Sequence, residues 1–405
     1  MKVLMVTNAL GPVYGGTTKI VNELAQSLGQ KEIEVDIVTT NANGSNNLQI
    51  PLNTWIIEKT HRIQYFSRWH YSGEYKFSWS LTQWLFQNVS AYDLVHTHGL
   101  FCYPVLPVYW ACRIKEVPYI IAPHGMLEPW ALAHKAIKKR FYYYLFEKRA
   151  LNQAKAIHLT ASSEAEHTAM LNLKSHLLVI PNGVHQEDFE TLANPELFYR
   201  QFPETQGKTL ILFLGRIDPK KGLDLLAPAF GQARRQFPNA HLIVAGPDNI
   251  GYLPTAQAFF AQAGCLEAVT FTGMLTGDLK YAALAAASIY VAPSYSEGFS
   301  MSILEGMASG LPCIFTTGCN FPEAAAAQAA YVVNANVHKI SSALTQCLKN
   351  PQAATETGNR ARQFIFEHYT WNRIAAHLIE VYRAIIDKTA EFPLNYITNQ
   401  IERTG

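Results

Sequence analysis

A basic loop and an acidic helix start stand out in the second half of the 405-residue chain. An apolar run ending at Leu214 opens into Gly215-Arg216-Ile217-Asp218-Pro219-Lys220-Lys221-Gly222, so Arg216 and Lys221 leave one loop together. Two cations beside glycines at a strand end suit a diphosphate, because arginine offers a planar fork and lysine a mobile point charge. A solvated basic loop fits the same residues when they are taken alone. The segment from Pro293 to Pro312 adds more. It follows an apolar strand, turns at Glu297 and Gly298, and enters a helix through Phe299, Ser300 and Met301, with Ser300 as the expected cap. The first amides of such a helix favour phosphate. Glu305 lies about five residues inside, roughly 7 Å along the axis at ~1.5 Å per residue, a distance that suits a diphosphate at the helix start and a ribose at the carboxylate. Glu297 then faces the group on the other side of the diphosphate. Glutamates at this spacing occur by chance, but the apolar strand before them and the small Gly306, Ala308 and Gly310 after Glu305 make the element specific.

The first half offers uncharged candidates. Gly11-Pro12-Val13-Tyr14-Gly15-Gly16-Thr17 follows the first strand and leads into a helix, placing bare glycine backbone where unpaired N–H groups attract anions. A structural turn fits the same residues. Thr17 stands where a P-loop needs lysine, and the loop lacks G-x-G-x-x-G, which weighs against nicotinamide and flavin enzymes. A later strand ends in Pro123-His124-Gly125, either an imidazole at a substrate-accessible strand tip or a hydrogen-bonded packing histidine. His96 and His98 alternate onto one face of the preceding strand, His96 expected to pack and His98 to line a cleft. Two histidines without a placed carboxylate or thiolate fall short of a catalytic zinc set, so no metal site is expected.

Strands must hold these loops. Short apolar, β-branched runs, six in each half, are each followed by a turn signal and a helical pattern, which is the signature of βα units around parallel sheets. The first six begin at Lys2, Val35, Leu94, Tyr119, Ala156 and Leu177; the second six begin at Leu210, Leu242, Val269, Ile289, Cys313 and Tyr331. A polar stretch from about His185 to Lys208 separates the sets. The fold class expected is α/β, with two doubly wound Rossmann-like domains, 1–185 and 186–368, facing across a cleft. Residues 369–405 hold a final amphipathic helix, with Trp371, Ile374, Ala375, Leu378, Val381, Tyr382 and Ile385 on one stripe, expected to return to the first domain. Hydrophobic residues at 49% suffice for a core in each domain. With 33 Lys+Arg against 31 Asp+Glu the chain lacks the field that sequence-independent nucleic-acid binding needs. The apolar run near Leu100 is broken by Pro104 and Pro107, so no spanning helix of ~20 residues is expected. The start carries too short an apolar centre for a signal peptide, and six cysteines without a CxxC pair read as reduced thiols; the expected location is the cytoplasm.

Taken together, the Gly15-Gly16 loop, the His124 strand tip, the Arg216 and Lys221 pair and the Glu297-to-Glu305 element resemble the retaining nucleotide-sugar glycosyltransferases of the GT-B fold, family 4, over nearly the whole chain. The resemblance implies that Arg216 and Lys221 hold the donor diphosphate, Glu305 the ribose and Glu297 the donor sugar, with His124 at the reaction centre. It also implies that Gly15 and Gly16 bring main chain to the phosphate, that Met274 meets the nucleobase, and that the backbone of Gly298, Phe299, Ser300 and Met301 contacts the donor. His124, Glu297, Arg216 and Lys221 form the implied catalytic set. Domain 1–185 binds the acceptor, a saccharide or lipid-linked saccharide, and domain 186–368 binds the donor. Many members carry glycine where Ser300 stands, so the amide contacts there depart from the pattern. The stretch Pro123 to Leu132 is similar to bacterial members that build cell-surface polysaccharides. No Asp-x-Asp occurs, so the expected transfer is metal-independent and uses no cofactor beyond the nucleotide-diphosphate sugar as co-substrate. A nucleotide-sugar epimerase of the same plan and a non-catalytic sugar-nucleotide sensor are the alternatives. Between Lys135 and Arg149, Lys and Arg alternate with a Tyr/Phe stripe, either a helix lying on an anionic membrane at the inner face of the cell membrane or a solvated helix with core aromatics.

Overall fold

The computed structural model describes residues 1–69, 75–133, 136–191 and 193–388. Their contacts form two units: unit 1 runs from Met1 to Asn182 and includes the chain from Trp371 onward, and unit 2 runs from Gly183 to Thr370. The boundaries differ slightly from 185 and 368 because the Val184 amide donates to the Tyr369 carbonyl at 2.9 Å and Val184 bridges Thr370, holding both ends within unit 2.

In unit 1 the strands are β1 (Lys2–Thr7), β2 (Glu34–Thr40), the small hairpin β3 (Ala42–Asn43) and β4 (Asn46–Asn47), β5 (Trp55–Ile57), β6 (Arg62–Phe66), β7 (Leu94–His98), β8 (Tyr119–Ala122), β9 (Ala156–Leu159) and β10 (His176–Val179). The main sheet has the order β10-β9-β8-β7-β1-β2-β6-β5, parallel except that β5 runs against β6. Central strands such as Val3 to Val6 are fully buried, as continuous apolar runs between two helix layers must be. The expectation of six strands here misses β5 and β6. The β6 residues Arg-Ile-Gln-Tyr-Phe do not read as a buried run. Arg62 is tolerated because it donates 2.7 and 2.6 Å bonds to Asp36, buried on the adjacent β2.

In unit 2, β11 (Thr209–Leu214), β12 (Ala240–Ala245), β13 (Val269–Gly273), β14 (Ile289–Ala292), β15 (Cys313–Thr316) and β16 (Tyr331–Val333) form an all-parallel sheet in the order β13-β12-β11-β14-β15-β16. This is the doubly wound pattern, whose strand order reverses between β11 and β14; the equivalent reversal in unit 1 lies between β1 and β7. Loops leaving the carboxyl ends of those strands border the crevice in which such sheets bind ligands.

The helix Trp371–Ile386 buries Trp371, Ile374, Ala375, Leu378, Ile379, Val381, Tyr382 and Ile385, and the Trp371 indole donates to Glu23 Oε2 at 2.7 Å. Each large side chain so buried contributes ~1.5–3 kcal/mol, so packing on unit 1, more than helix propensity, holds this helix in place. All six cysteines are free and buried, matching the expected reduced thiols. Among the described residues no helix is long and apolar enough to cross a membrane.

Candidate active site

The loops after β11 and β14, the strands flanking the unit 2 reversal, are fastened to each other. Lys221 Nζ lies 2.5 Å from Glu297 Oε1, the Ser294 hydroxyl donates to the same oxygen at 2.6 Å, and the Tyr295 amide donates to the Lys220 carbonyl at 2.9 Å. Gly222 takes a left-handed φ of 70° where a Cβ would stand 2.1 Å from the Pro293 carbonyl oxygen, so only glycine lets the loops approach this closely. The turn after β15 completes the cradle: the Glu297 amide donates to the Gly318 carbonyl at 2.7 Å and the Asn320 side chain to the Glu297 carbonyl at 2.7 Å.

Burial alone would raise the Glu297 carboxyl, but the Lys221 ammonium and the Ser294 hydroxyl overcome it and hold the group below its ordinary 4.5. Burial pulls Lys220 below its ordinary 10.5 against the opposing field of Glu297. Arg216 is looser: 54% of its side chain is exposed, and it pairs with Asp218 at 3.2 Å. The cluster therefore offers one solvent-facing guanidinium, two half-buried ammonium groups and a carboxylate that stays ionised.

The helix Met301–Ala308 starts beside this cluster. Ser300 occupies its N-cap position, but the expected side-chain cap is absent; the hydroxyl instead lies 3.1 Å from the Ser302 hydroxyl, leaving the first-turn amides without a bond from that cap. Phe299 and Met301 point into the core, Phe299 stacking on Tyr369, so these two positions can offer a ligand only main chain. Gly306 is required by packing, since a Cβ there would meet the buried Tyr290 ring at 2.8 Å. Glu305 is buried and paired with Lys280 Nζ at 2.8 Å, and Met274 is exposed after β13. Lys280, Ser294 and Asn320 escape a reading of the sequence: Lys280 stands 25 residues from Glu305, on another helix, and no local spacing connects them.

In unit 1, Gly15 and Gly16 stand at the start of the helix Gly16–Gly29, with no side-chain cap and open space where a Cβ would project from either. Far from them in sequence, His124 takes a left-handed φ of 53°, unusual for a residue with a side chain. The buried Glu164, which the sequence did not flag, holds that turn by accepting the Gly125 amide at 2.6 Å and the Thr160 amide at 2.8 Å. His98 does not line a cleft as expected. It is 1% exposed and sits behind His124, Nδ1 to Nε2 at 3.0 Å, because β7 is an inner strand covered on both faces. His96 packs as expected, its Nδ1 2.7 Å from the Tyr382 hydroxyl.

A cavity of about 500 Å³ on unit 2, lined by Lys208, Arg234, His241, Glu267 and Thr270, opens near the amino ends of β12 and β13. The carboxyl-end loops are the better candidate despite its size, because that is where doubly wound sheets bind ligands and where the fixed charges converge. Among the described residues no group of three His, Cys, Asp or Glu converges as a metal-ligand set.

Two family profiles match the chain. "Glycosyl transferases group 1" covers residues 196–364 and "Glycosyltransferase Family 4" covers residues 14–188. The O-antigen chain mannosyltransferase C of Escherichia coli is 24% identical, over 94% of this chain and 97% of that protein. Among solved structures, a sucrose-phosphate synthase from Thermosynechococcus elongatus superposes with a TM-score of 0.78 at 19% identity, covering 96% of this chain and all of the other. The Anabaena protein HepE, crystallised with UDP and glucose, gives 0.75 at 17% identity, covering 94% of this chain and 98% of its own.

Proposed function

Because the chain is a group 1 glycosyltransferase of GT-B fold, we propose that it moves a hexose from a nucleotide-diphosphate sugar to a saccharide or lipid-linked saccharide with retention at the anomeric carbon, needing neither metal nor cofactor. The observation that carries this is the fastening of the β11 and β14 loops by Lys221 and Glu297, with Arg216 facing solvent beside them. Arg216 and Lys221 take the diphosphate together with the main chain from Gly298 to Met301, and the open helix start at Gly15 and Gly16 is a separate main-chain anion site on unit 1. Charge builds on the leaving diphosphate as the glycosidic bond breaks, and fixed cations and amides aimed at it stabilise that charge. Glu297 accepts from donor-sugar hydroxyls through the oxygen that Lys221 leaves free, and Glu305, paired with Lys280, accepts from the ribose. Met274 lies against the base and His124 serves the reaction centre. With no side-chain nucleophile assigned, the leaving phosphate takes the acceptor proton. HepE with UDP and glucose, and an O-antigen mannosyltransferase, support a nucleotide-sugar donor and cell-surface polysaccharide synthesis.

The protein works in the cytoplasm at the inner membrane face. Phe141, Tyr144 and Leu145 project into solvent at helical spacing beside Arg140 and Arg149, and Trp110 and Ile114 of the helix Val105–Lys115 are exposed as well. The Arg113 and Arg149 guanidiniums each stand 5.8 Å from the Trp110 ring, joining the two helices into one basic, aromatic surface suited to anionic lipid. Lys135 of the sequence motif lies outside the described residues.

Thermal unfolding with UDP, GDP and ADP in turn tests the donor site. A nucleotide at ~100 times its Kd adds about 2.7 kcal/mol, a shift of a few degrees. One nucleotide should stabilise the protein in EDTA and fail to stabilise Arg216→Ala; no stabilisation by any of them counts against the reading. NMR of the product anomer tests retention.

A further inference from the structure

A second cavity, of about 390 Å³, opens on unit 1 and is lined by Tyr144, Lys148, Arg149, Asn152, Gln153 and Lys174. The helix Lys148–Gln153 leads into β9 and the loop 172–175 leads into β10, so the cavity lies toward the amino ends of these strands, the opposite end of the sheet from His124. Its two walls are fastened to each other. Asn152 Oδ1 accepts the Lys174 amide at 2.8 Å, and the Ser175 hydroxyl donates to the Ala154 carbonyl at 2.7 Å.

The wall is rich in donors and poor in acceptors. Asn152 spends its side-chain oxygen on the Lys174 amide and Gln153 spends its own on the Arg113 guanidinium at 3.4 Å, so the NH2 of each is what remains for a ligand. Beside them stand two ammonium groups, a guanidinium and the Tyr144 hydroxyl. No carboxylate lines the cavity, and among the described residues Lys148, Arg149 and Lys174 form no salt bridge. Aromatic faces stand in for counterions: Lys148 Nζ lies 5.4 Å from the Tyr144 ring centroid and the Arg149 guanidinium 5.8 Å from that of Trp110. Glu147, next to Lys148 in sequence, supplies no countercharge. It is fully buried, accepts the Phe101 amide at 2.8 Å, and burial pushes its carboxyl up to about 8. Three cations in one concavity repel one another, and an anion with several acceptor oxygens relieves that repulsion while taking up the free N–H groups.

The surroundings indicate where such an anion comes from. Tyr144 also belongs to an exposed apolar set with Phe141, Leu145, Phe146 and Trp110, each between 40% and 67% exposed. A soluble anion makes no use of these side chains, whereas a lipid brings phosphate and apolar surface to one boundary. We propose that the cavity binds the phosphate of an anionic lipid headgroup while the neighbouring aromatic and aliphatic side chains enter the acyl boundary. The lipid source rests on the membrane surface proposed above; the preference for phosphate rests on the cavity alone. A phosphomonoester carries about −1.5 to −2 charges at pH 7. Phosphatidic acid therefore matches the three cations better than phosphatidylserine, whose headgroup ammonium opposes them.

Flotation of the full chain with phosphatidylcholine vesicles containing phosphatidic acid or phosphatidylserine, matched in surface charge, tests the site. The wild-type protein should bind the phosphatidic acid vesicles roughly tenfold more tightly, and joint Lys148→Gln and Lys174→Gln should lower that binding to the phosphatidylserine level. Neither lysine is in an ion pair, so the melting temperature of the double variant should match the wild type. Equal binding of the two lipids by the wild type, or undiminished preference in the double variant, overturns the headgroup site and leaves a diffuse membrane surface. Glycerol 3-phosphate, added at the same phosphate concentration, should leave the protein on the vesicles; release marks a site for a soluble phosphate and overturns the lipid assignment. Phe141→Glu should weaken binding to both lipids alike. A wild-type protein that floats with neither lipid removes the membrane surface together with the headgroup site, a pattern distinct from equal binding.

Discussion

At the carboxyl ends of its strands unit 2 sets Arg216, Lys220, Lys221 and Glu297, whereas unit 1 sets His98 and His124 at corresponding strand tips of a sheet with the same reversal. Both places put polar chemistry on a low-dielectric scaffold, and they meet the cost of doing so in opposite ways. Unit 2 pairs its charged groups, Lys221 with Glu297 and Lys280 with Glu305. Unit 1 keeps its imidazoles neutral and links them by single protons. A paired charge suits a site meant to meet a charged diphosphate, because an arriving anion redistributes bonds already present. A neutral array spares buried strand tips the cost of an unpaired charge.

Breaking the pair in unit 2 should have the largest effect. Lys221→Ala leaves Glu297 with a poorly compensated carboxylate and should cost about 3 kcal/mol in denaturant unfolding. Adding Glu297→Gln should restore much of the stability and none of the turnover. If Lys221→Ala leaves the unfolding midpoint unchanged, the pairing account of unit 2 fails.

Arg216→Ala comes next and separates stability from chemistry. Its exposed guanidinium contributes little to folding, so melting should stay within experimental scatter while turnover falls roughly a hundredfold, near 3 kcal/mol. Undiminished turnover would refute the diphosphate role.

Acid should then distinguish the units. A histidine whose folded value lies below 6.5 binds more protons when unfolded, so stability rises with pH between the two values and is lost as pH falls from 6.5 toward the folded value. For His158 that window runs from 6.5 to about 4. His158→Phe should flatten the stability profile there by up to about 1.4 kcal/mol per pH unit. Glu297 is shifted in the same direction but from a lower ordinary value: its contribution is full above 4.5 and fades only as pH drops below that through its lowered folded value. Hydrogen exchange at falling pH should therefore release β7 and β8 before β11 and β14, and simultaneous release would remove the contrast.

The smallest effect lies outside both strand-end clusters. Phe141→Glu should reduce binding to phosphatidylserine vesicles by roughly tenfold with no change in melting, and equal binding by the two proteins would dismiss the membrane surface.

Much of this architecture was legible in the residues. Apolar runs such as Lys2 to Thr7 and Ile289 to Ala292 coincide with observed strands, and the stripe from Trp371 to Ile385 coincides with a buried helix face. Periodicity is local, and so are strand, turn and amphipathic helix. β6 was hidden because its Arg62 looks unburiable until Asp36, 26 residues earlier, is placed opposite it. Ser300 read as a side-chain cap because its type and position allow one, and rotation of one hydroxyl toward Ser302 removes it.

The sequence by itself determined two sets of βα units, their strand-end residues and a final helix with one face to bury, since each follows from the period of side chains along a single segment. Only the tertiary structure decided which strand-end residues meet. Lys221 reaches Glu297 across 76 residues, and His96 reaches Tyr382 across 286. Pairing and burial depend on distance in space, which sheet order sets and local sequence does not encode.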